Sequence, residues 1–323
     1  MAPELSVVIP IHNEAENIEA LVGEFCSVLN AWGRPYELVI VDDGSTDASF
    51  KCLQDLLVRT PQLRVIQFRR NFGQTAAFAA GFAHARGRLV VTSDGDLQMD
   101  PRDIPSMVAR LEGSDGTGVY DLVCGWREKR QDGFWLRRLP SILANRLISW
   151  ATGVRLRDYG CSLKVFRSEV VKELRLYGEM HRFLPALASE MGVRIAEQSV
   201  NHRPRVHGRS KYGISRTLRV VLDLMTVKFL LSYSTRPLQM FGPVGMLAGG
   251  AGALVLAYLS FAKFVLHEGI GERPLLLFGI LLVVTGVQLL SFGLLAEQQS
   301  RTYHESQGKP IYVIRQIIGG SDS

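Results

Sequence analysis

Short apolar runs alternate with longer amphipathic stretches through the first half of the chain. Leu5 to Ile9 is apolar and β-branched and is stopped by Pro10, which predicts a buried strand. Asn13 precedes a helical pattern from Glu16 to about Asn30, with acids in its first turn. Tyr36–Val41 is the next strand, stopped by Asp42-Asp43-Gly44-Ser45, and a helix follows over Ala48–Arg59. Leu63–Phe68 reads as a third strand, and Gln74–Ala85, rich in alanine, as a tightly packed helix. Arg88–Thr92 is a fourth strand that ends on Ser93-Asp94-Gly95-Asp96, with a helix over Pro101–Glu112 and a strand over Asp121–Cys124 behind it. The basic segment Arg127–Arg157 is expected to be helical, and Leu163–Leu174 and His181–Met191 supply further strand and helix. Strands alternating with helices of about 10 to 15 residues predict an α/β fold with a mostly parallel sheet and helices on both faces. Ligands of such sheets bind beyond the carboxyl ends of the strands. Pro10, Asp42, Asp43, Asp94, Asp96 and Arg127 all follow strands and are expected in one cleft.

The pattern changes after about residue 200. His202–Gly213 is a polar loop with Arg203, Arg205, Arg209 and Lys211, and Arg216 lies just beyond. Ile214–Tyr233 is apolar with Arg216, Arg219 and Lys228 spaced along it, which fits an interfacial amphipathic helix. Leu238–Ala262 and Leu275–Ala296 carry no charge and run for about 25 and about 22 residues, against the ~20 that span a bilayer. Lys263–Pro274 is a short link, so the two spans make a hairpin. The expected organisation is a catalytic domain over 1–213, an amphipathic juxtamembrane segment over 214–236, a transmembrane hairpin over 237–297 and a C-terminal tail over 298–323. The tail run Ile311–Ile317 reads as a strand that packs near the soluble domain or a neighbouring subunit.

Charge agrees with this division. A net charge of +6 admits nucleic acid, anionic lipid and nucleotide phosphate as partners. With two spans flanked by Arg216, Arg219, Lys228 and Arg236 on one side and Arg301, Lys309 and Arg315 on the other, the membrane reading is preferred and no nucleic acid is expected. Both flanks are then cytosolic, in an inner-membrane, multi-pass protein. Met1–Pro10 has no basic leader and passes directly into a strand, so the catalytic part is expected to begin in the cytosol, with both termini there. Cys26, Cys52, Cys124 and Cys161 show no paired spacing and read as buried reduced thiols.

Two carboxylates one residue apart, Asp94 and Asp96, can both reach a divalent cation that bridges a nucleotide diphosphate, and Gln98 adds a neutral oxygen. Asp43 can accept hydrogen bonds from a base or a ribose, or cap the next helix. Pro10, His12 and Glu14 can line the same pocket. The glycine fingerprints of dinucleotide and P-loop sites and the nucleophile elbow of hydrolases are missing.

Jointly, Val-Val-Ile-Pro-Ile-His-Asn-Glu (7–14), Val-Asp-Asp-Gly-Ser (41–45), Asn-Phe-Gly-Gln (71–74), Asp-Gly-Asp-Leu-Gln (94–98) and His-Gly-Arg-Ser-Lys-Tyr-Gly (207–213) resemble family 2 glycosyltransferases of the GT-A fold. More narrowly the chain is similar to the polyprenyl-phosphate glycosyltransferases, a group with dolichol-phosphate mannose synthase, bactoprenol glucosyltransferase and undecaprenyl-phosphate aminoarabinose transferase among its branches. Arg127 to Asp132 and Asp158-Tyr-Gly-Cys161 look most like the last of these. The resemblance implies that Pro10, His12, Glu14, Val41, Asp43 and Asp94 hold the nucleotide with Arg127, and that Asp94, Asp96 and Gln98 hold Mg²⁺ or Mn²⁺. It implies phosphate-binding roles for Arg127, Arg205 and Lys211. Gly95 stands where Ala is commoner, and His12 where Tyr is frequent. The oligomeric state implied by the family is a homo-oligomer, with a tetramer favoured.

The implied reaction moves a sugar, with inversion, from a UDP- or GDP-linked donor to polyprenyl (undecaprenyl) phosphate at the membrane surface. The acceptor phosphate is already anionic near neutral pH, so the site must neutralise charge more than remove a proton. Asp96, Arg205 and Lys211 are the catalytic candidates, with Asp158 as an orienting carboxylate, a weak base or a structural cap. A family 2 transferase acting on a glycan or diacylglycerol, and a non-enzymatic membrane scaffold, are the alternatives. Lys211 and the absence of a Gln-x-x-Arg-Trp motif weigh against the former, and the intact Asp94, Asp96 and Gln98 against the latter.

Overall fold

A computed structural model describes residues 2–113, 118–128, 149, 153–176, 180–204, 238–267, 269, 274–306 and 311–320. The chain divides into two compact units, Met1–Leu224 with Pro310–Ser323, and Met225–Lys309.

In the first unit, β1 (Leu5–Ile11), β2 (Tyr36–Asp42), β3 (Leu63–Phe68) and β4 (Leu89–Thr92) alternate with α1 (Ile18–Trp32), α2 (Ser49–Leu57) and α3 (Gln74–His84). A short 3-10 turn, Pro101–Asp103, leads into α4 (Ile104–Glu112). Then follow β5 (Leu122–Arg127), β6 (Lys164–Arg167), α5 (Ser168–Glu173), a 3-10 turn at Met180–Phe183, α6 (Leu184–Ser189) and β7 (Ile195–Val200). The sheet is completed by β8 (Ile314–Gly319) from the C-terminal end of the chain, and its order is β7-β5-β6-β4-β1-β2-β3-β8.

β4, β1, β2 and β3 are parallel, and β7 is parallel to β5, whereas β6 and β8 run against their neighbours. The sheet is therefore mixed, with a parallel centre. Every residue of β1 and β2 is buried, as expected for strands covered by helices on both faces. α1 buries Ile18, Leu21, Val22, Phe25 and Leu29, one stripe at helical spacing, and ends at the left-handed Gly33, whose N–H donates to the Leu29 carbonyl.

The chain passes from β1 to β2 and β3 on one side, then returns to place β4 on the other side of β1. The reversal leaves a crevice at the carboxyl ends of β1 and β4, where open α/β sheets bind ligands. Register places the strand ends nearly level, with Ile11 opposite Asp42 and Val8 opposite Thr92. The end of β1 at Pro10 and the turns carrying Asp43 and Asp94 therefore emerge side by side.

The expected strands and helices up to Cys124 are present, with small shifts at their ends. β7 was not anticipated: its sequence Ile-Ala-Glu-Gln-Ser-Val is half polar, and it lies at the sheet edge. The C-terminal strand lies a few residues later than Ile311–Ile317 and pairs with β3. The expected helix over Arg127–Arg157 falls mostly outside the described residues, and the amphipathic segment Ile214–Tyr233 falls wholly outside them.

The second unit is an antiparallel pair, α7 (Leu238–Phe264) and α8 (Pro274–Ser306). Phe241–Phe264 and Pro274–Ala296 are long and apolar enough to cross a membrane. Glycines set their spacing: a Cβ added to Gly286 would lie 2.6 Å from the Gly249 nitrogen, and one added to Gly252 would lie 2.7 Å from the Gly279 carbonyl. Small residues of this kind let two helix backbones approach closely. Leu254, Leu277 and Phe292 point outward from the pair, a surface suited to lipid chains.

α3 packs so closely on β1 that a Cβ at Gly81 would lie 2.1 Å from a methyl of Val8. Gly81→Ala is expected to lower Tm by roughly 5 °C, as overpacking of about 1–3 kcal/mol does in a domain of this size. Combined with Val8→Ala it should cost less than the sum of the two single changes. Scanning fluorimetry of the detergent-solubilised protein measures this, and strict additivity would mean that the contact is not the cause.

Candidate active site at the sheet reversal

Two turns form one wall of the crevice. After β1, Asn13 adopts a left-handed backbone (φ 56°). Its N–H donates to Ser45 Oγ at 3.0 Å, and its side-chain oxygen accepts from Thr46 N–H at 2.8 Å. Glu14 N–H donates to Ser49 Oγ at 2.9 Å, and the Glu14 carboxylate accepts from Asn17 Nδ2 at 2.6 Å. After β2, the Asp43 carboxylate is buried and accepts from two backbone N–H groups, Phe72 at 2.7 Å and Gly73 at 2.9 Å. Burial raises the pKa of this carboxyl, and those two N–H groups pull it back. Asp43 thereby anchors the Asn71–Gln74 loop over the crevice. Gly44 beside it has φ 63°, and a Cβ there would lie 2.3 Å from the Arg70 carbonyl carbon, so the turn requires glycine. The His12 ring nitrogen Nδ1 lies 3.0 Å from the Asp43 carbonyl.

The opposite wall is the turn after β4. Ser93 N–H donates to the Val8 carbonyl at 3.2 Å, Asp94 N–H to Ser162 Oγ at 3.2 Å, and Gln98 N–H to Asp96 Oδ1 at 3.2 Å. Gln74 Nε2 donates to Asp94 Oδ1 at 2.7 Å, which joins the two walls. A Cβ at Gly95 would lie 2.8 Å from a methyl of Ile11, which accounts for glycine between the two aspartates. Burial raises the pKa of Asp94, the Asp96 charge raises it further, and Ser162, Lys164 and Arg127 act the other way.

The cleft between these walls encloses about 290 Å³ and is lined by Pro10, His12, Glu14, Asp43, Asn71, Gln74, Asp94 and Asp96 among others. Six of the candidates named from sequence therefore face one space. Val41 does not: it is 0% exposed and lies inside the sheet. Gln98 turns its amide toward the Arg203 carbonyl, at 3.5 Å. Among the described residues no group of three or more His, Cys, Asp or Glu is arranged to hold a metal ion. Two carboxylates at a cleft wall nevertheless suit a hard cation that takes its remaining oxygens from water and a diphosphate.

Arg127, at the end of β5, donates from Nε to Asp158 Oδ2 at 2.7 Å and from Nη2 to Oδ1 at 3.0 Å. Asp158 is 3% exposed and also accepts from the N–H groups of Arg127 and Gly160. Burial works against the Arg127 charge, but the paired carboxylate outweighs it and holds the pKa above its usual value. Arg205 and Lys211 lie outside the described residues.

Gln74, Ser162 and Lys164 were missed as site residues. Lys164 is 3% exposed and donates to the Cys161 carbonyl, placing a buried cation behind Asp94. A lysine within the apolar run Leu163–Phe166 was the available signal. Gln74 is the last residue of the Asn-Phe-Gly-Gln motif, whose pattern alone does not reveal its contact with Asp94. The thiols of Cys124 and Cys161 are buried and their pKa values pushed up to about 12 and about 11 by burial, consistent with inert reduced cysteines.

Comparison with known proteins agrees with this geometry. Residues 6–175 match the model of glycosyl transferase family 2. Dodecaprenyl-phosphate galacturonate synthase of Rhizobium johnstonii is 48% identical over 318 residues, 98% of this chain and 93% of that protein. Undecaprenyl-phosphate 4-deoxy-4-formamido-L-arabinose transferase of Edwardsiella ictaluri is 38% identical over 97% of this chain and 94% of its own length. Among solved structures, glucosyl-3-phosphoglycerate synthase of Mycobacterium tuberculosis, in complex with Mn²⁺ and UDP-glucose, superposes with a TM-score of 0.54 at 19% identity, over 70% of this chain and 79% of that one, and shares the fold. With the family model covering more than half its length and relatives matching nearly all of it, the chain belongs to glycosyl transferase family 2.

Proposed function

We propose that this protein moves a sugar, with inversion, from a nucleotide diphosphate-sugar to a polyprenyl phosphate at a membrane surface. The observation that carries the reading is the meeting of Asp43, Asp94 and Asp96 at the sheet reversal, in a chain that also carries an apolar helix pair. Its relatives, dodecaprenyl-phosphate galacturonate synthase and undecaprenyl-phosphate 4-deoxy-4-formamido-L-arabinose transferase, are both named for a polyprenyl phosphate, which supports the same acceptor.

Pro10, His12, Glu14 and Asp43 form the wall for the nucleoside. Mg²⁺ or Mn²⁺ held by Asp94 and Asp96 would neutralise charge on the departing diphosphate. Arg127, aimed by Asp158, adds a fixed positive charge from the end of β5, close enough to act on Asp94. Of the three readings of Asp158 as orienter, base or structural cap, its bidentate pairing with Arg127 favours the orienter over the base, and its bond from Gly160 N–H adds the cap. Arg205 and Lys211 are assigned to the acceptor phosphate, whose approach to an anionic donor is the barrier that the site must lower. The relative with the greater identity is named for galacturonate, which supports a uronic acid as the transferred sugar. The catalytic unit and both ends of the hairpin are assigned to the cytoplasmic side of the inner membrane, because the chain after two spans rejoins the sheet through β8. A homo-oligomer, tetrameric by family resemblance, belongs to the same reading.

Purified protein given UDP- and GDP-linked sugars, neutral and uronic, with undecaprenyl phosphate and Mn²⁺ should form a lipid-linked sugar, and transfer only to a glycan or to diacylglycerol would overturn the acceptor. Asp96→Asn should reduce turnover by about 10²-fold or more while the protein stays folded by circular dichroism. Lys211→Ala should raise the KM for polyprenyl phosphate by roughly 10- to 100-fold and leave the donor KM unchanged, as loss of a charge-assisted hydrogen bond to phosphate predicts. Asp158→Asn should lower kcat/KM about tenfold at every pH. Loss of the acid limb of the pH profile in that variant would instead make Asp158 a base.

A further inference from the structure

Beyond the crevice, the segment after β7 is fastened to the turn that carries the paired aspartates. Met99 and His202 form an antiparallel bridge. Arg203 N–H donates to the Gln98 carbonyl at 2.9 Å, and Gln98 Nε2 returns toward the Arg203 carbonyl. Asn201 N–H donates to Asp103 Oδ2 at 2.7 Å, so three successive residues after the strand are each tied to 98–103. The side chain of Arg203 closes the fastening. Its Nη1 reaches both carboxylate oxygens of Glu24 on α1, at 3.0 and 2.9 Å, and its Nη2 lies 2.8 Å from Asp100 Oδ2. Asp100 is 4% exposed, and its other oxygen caps the 3-10 turn through Arg102 N–H at 3.0 Å. The planar, forked guanidinium lets Nη1 serve Glu24 while Nη2 serves Asp100, two carboxylates on different elements.

Two residues after Arg203 in the sequence stands Arg205, and six after that Lys211. We propose that Arg203 is a positioning residue, whose guanidinium, shared between Glu24 and Asp100, sets the start of the acceptor-phosphate segment against the Asp96–Asp100 turn. The inference rests on the transfer reaction proposed above. It gives Arg203 a role that touches neither substrate: it fixes residues 201–203, which lead in sequence toward Arg205 and Lys211, against the turn that follows the paired carboxylates. The Asp94–Asp96 turn has its own supports in Ser162, Gln74 and the Gln98 N–H, so releasing Arg203 should leave the donor side in place.

The test is steady-state transfer to undecaprenyl phosphate, together with calorimetric binding of UDP in the presence of Mn²⁺. For Arg203→Ala we expect the acceptor KM to rise about tenfold, with UDP affinity within about twofold of wild type. Arg203→Lys should recover part of the loss, since an ammonium keeps the charge but lacks the two-nitrogen fork that spans Glu24 and Asp100. Glu24→Gln, at a partly exposed position on α1, should shift the acceptor KM in the same direction by less, and it serves if Arg203→Ala does not fold. A purely structural role would reduce Tm and the active fraction without moving the acceptor KM. An unchanged acceptor KM in folded Arg203→Ala or Glu24→Gln, with wild-type protein active, overturns this inference alone. Wild-type protein unable to use undecaprenyl phosphate overturns the proposed function, and this inference with it.

Discussion

The carboxylates of Asp94 and Asp96 occupy one turn after β4, and the Asp96 charge adds to burial in raising the pKa of Asp94. A transferase that uses a diphosphate donor and a phosphate acceptor brings still more negative charge to this place. Much of the surrounding structure can be understood as an answer to that repulsion. Lys164 sits buried behind the turn, Arg127 is held beside it by Asp158, and Gln74 donates to Asp94 from the opposite wall. None of these cancels the charge, which leaves room for a divalent cation to do so.

The sheet makes such crowding possible. Parallel strands in register deliver their carboxyl ends to one level, and the reversal between β1 and β4 opens a crevice there. The turns are then tied to each other rather than left to find their own conformation: Asp43 grips two backbone N–H groups of the following loop, and Asn13 is bonded to Ser45 and Thr46. The wall of the cleft is thus preorganised by hydrogen bonds between its own turns.

Much of this was legible in the residue pattern. β1, β2 and β4 announce themselves as largely apolar runs that end near Pro10, Asp42 and Asp94, because strands buried on both faces are mostly apolar. Pro10, His12, Glu14, Asp43, Asp94 and Asp96 could be grouped because each follows a strand end. β7 could not, since an edge strand half in solvent need not be apolar. Gln74, Ser162 and Lys164 were hidden for another reason: their partners are distant in sequence, and only the crossing of strands brings them to Asp94. Val41 shows the converse, a residue inside a functional motif whose side chain serves the core.

The pairing of β8 with β3 has a consequence for how the protein is made. Gln67 and Gln316 meet across that pair although they are 249 positions apart in the sequence. During synthesis the edge of β3 stays uncovered until both apolar helices have left the ribosome. An exposed strand edge invites pairing with other chains, and contacts closed over so long a stretch form late. Completion of the sheet therefore reports that the helical pair has already been produced, and a chain truncated before residue 314 would carry its crevice and an open edge together.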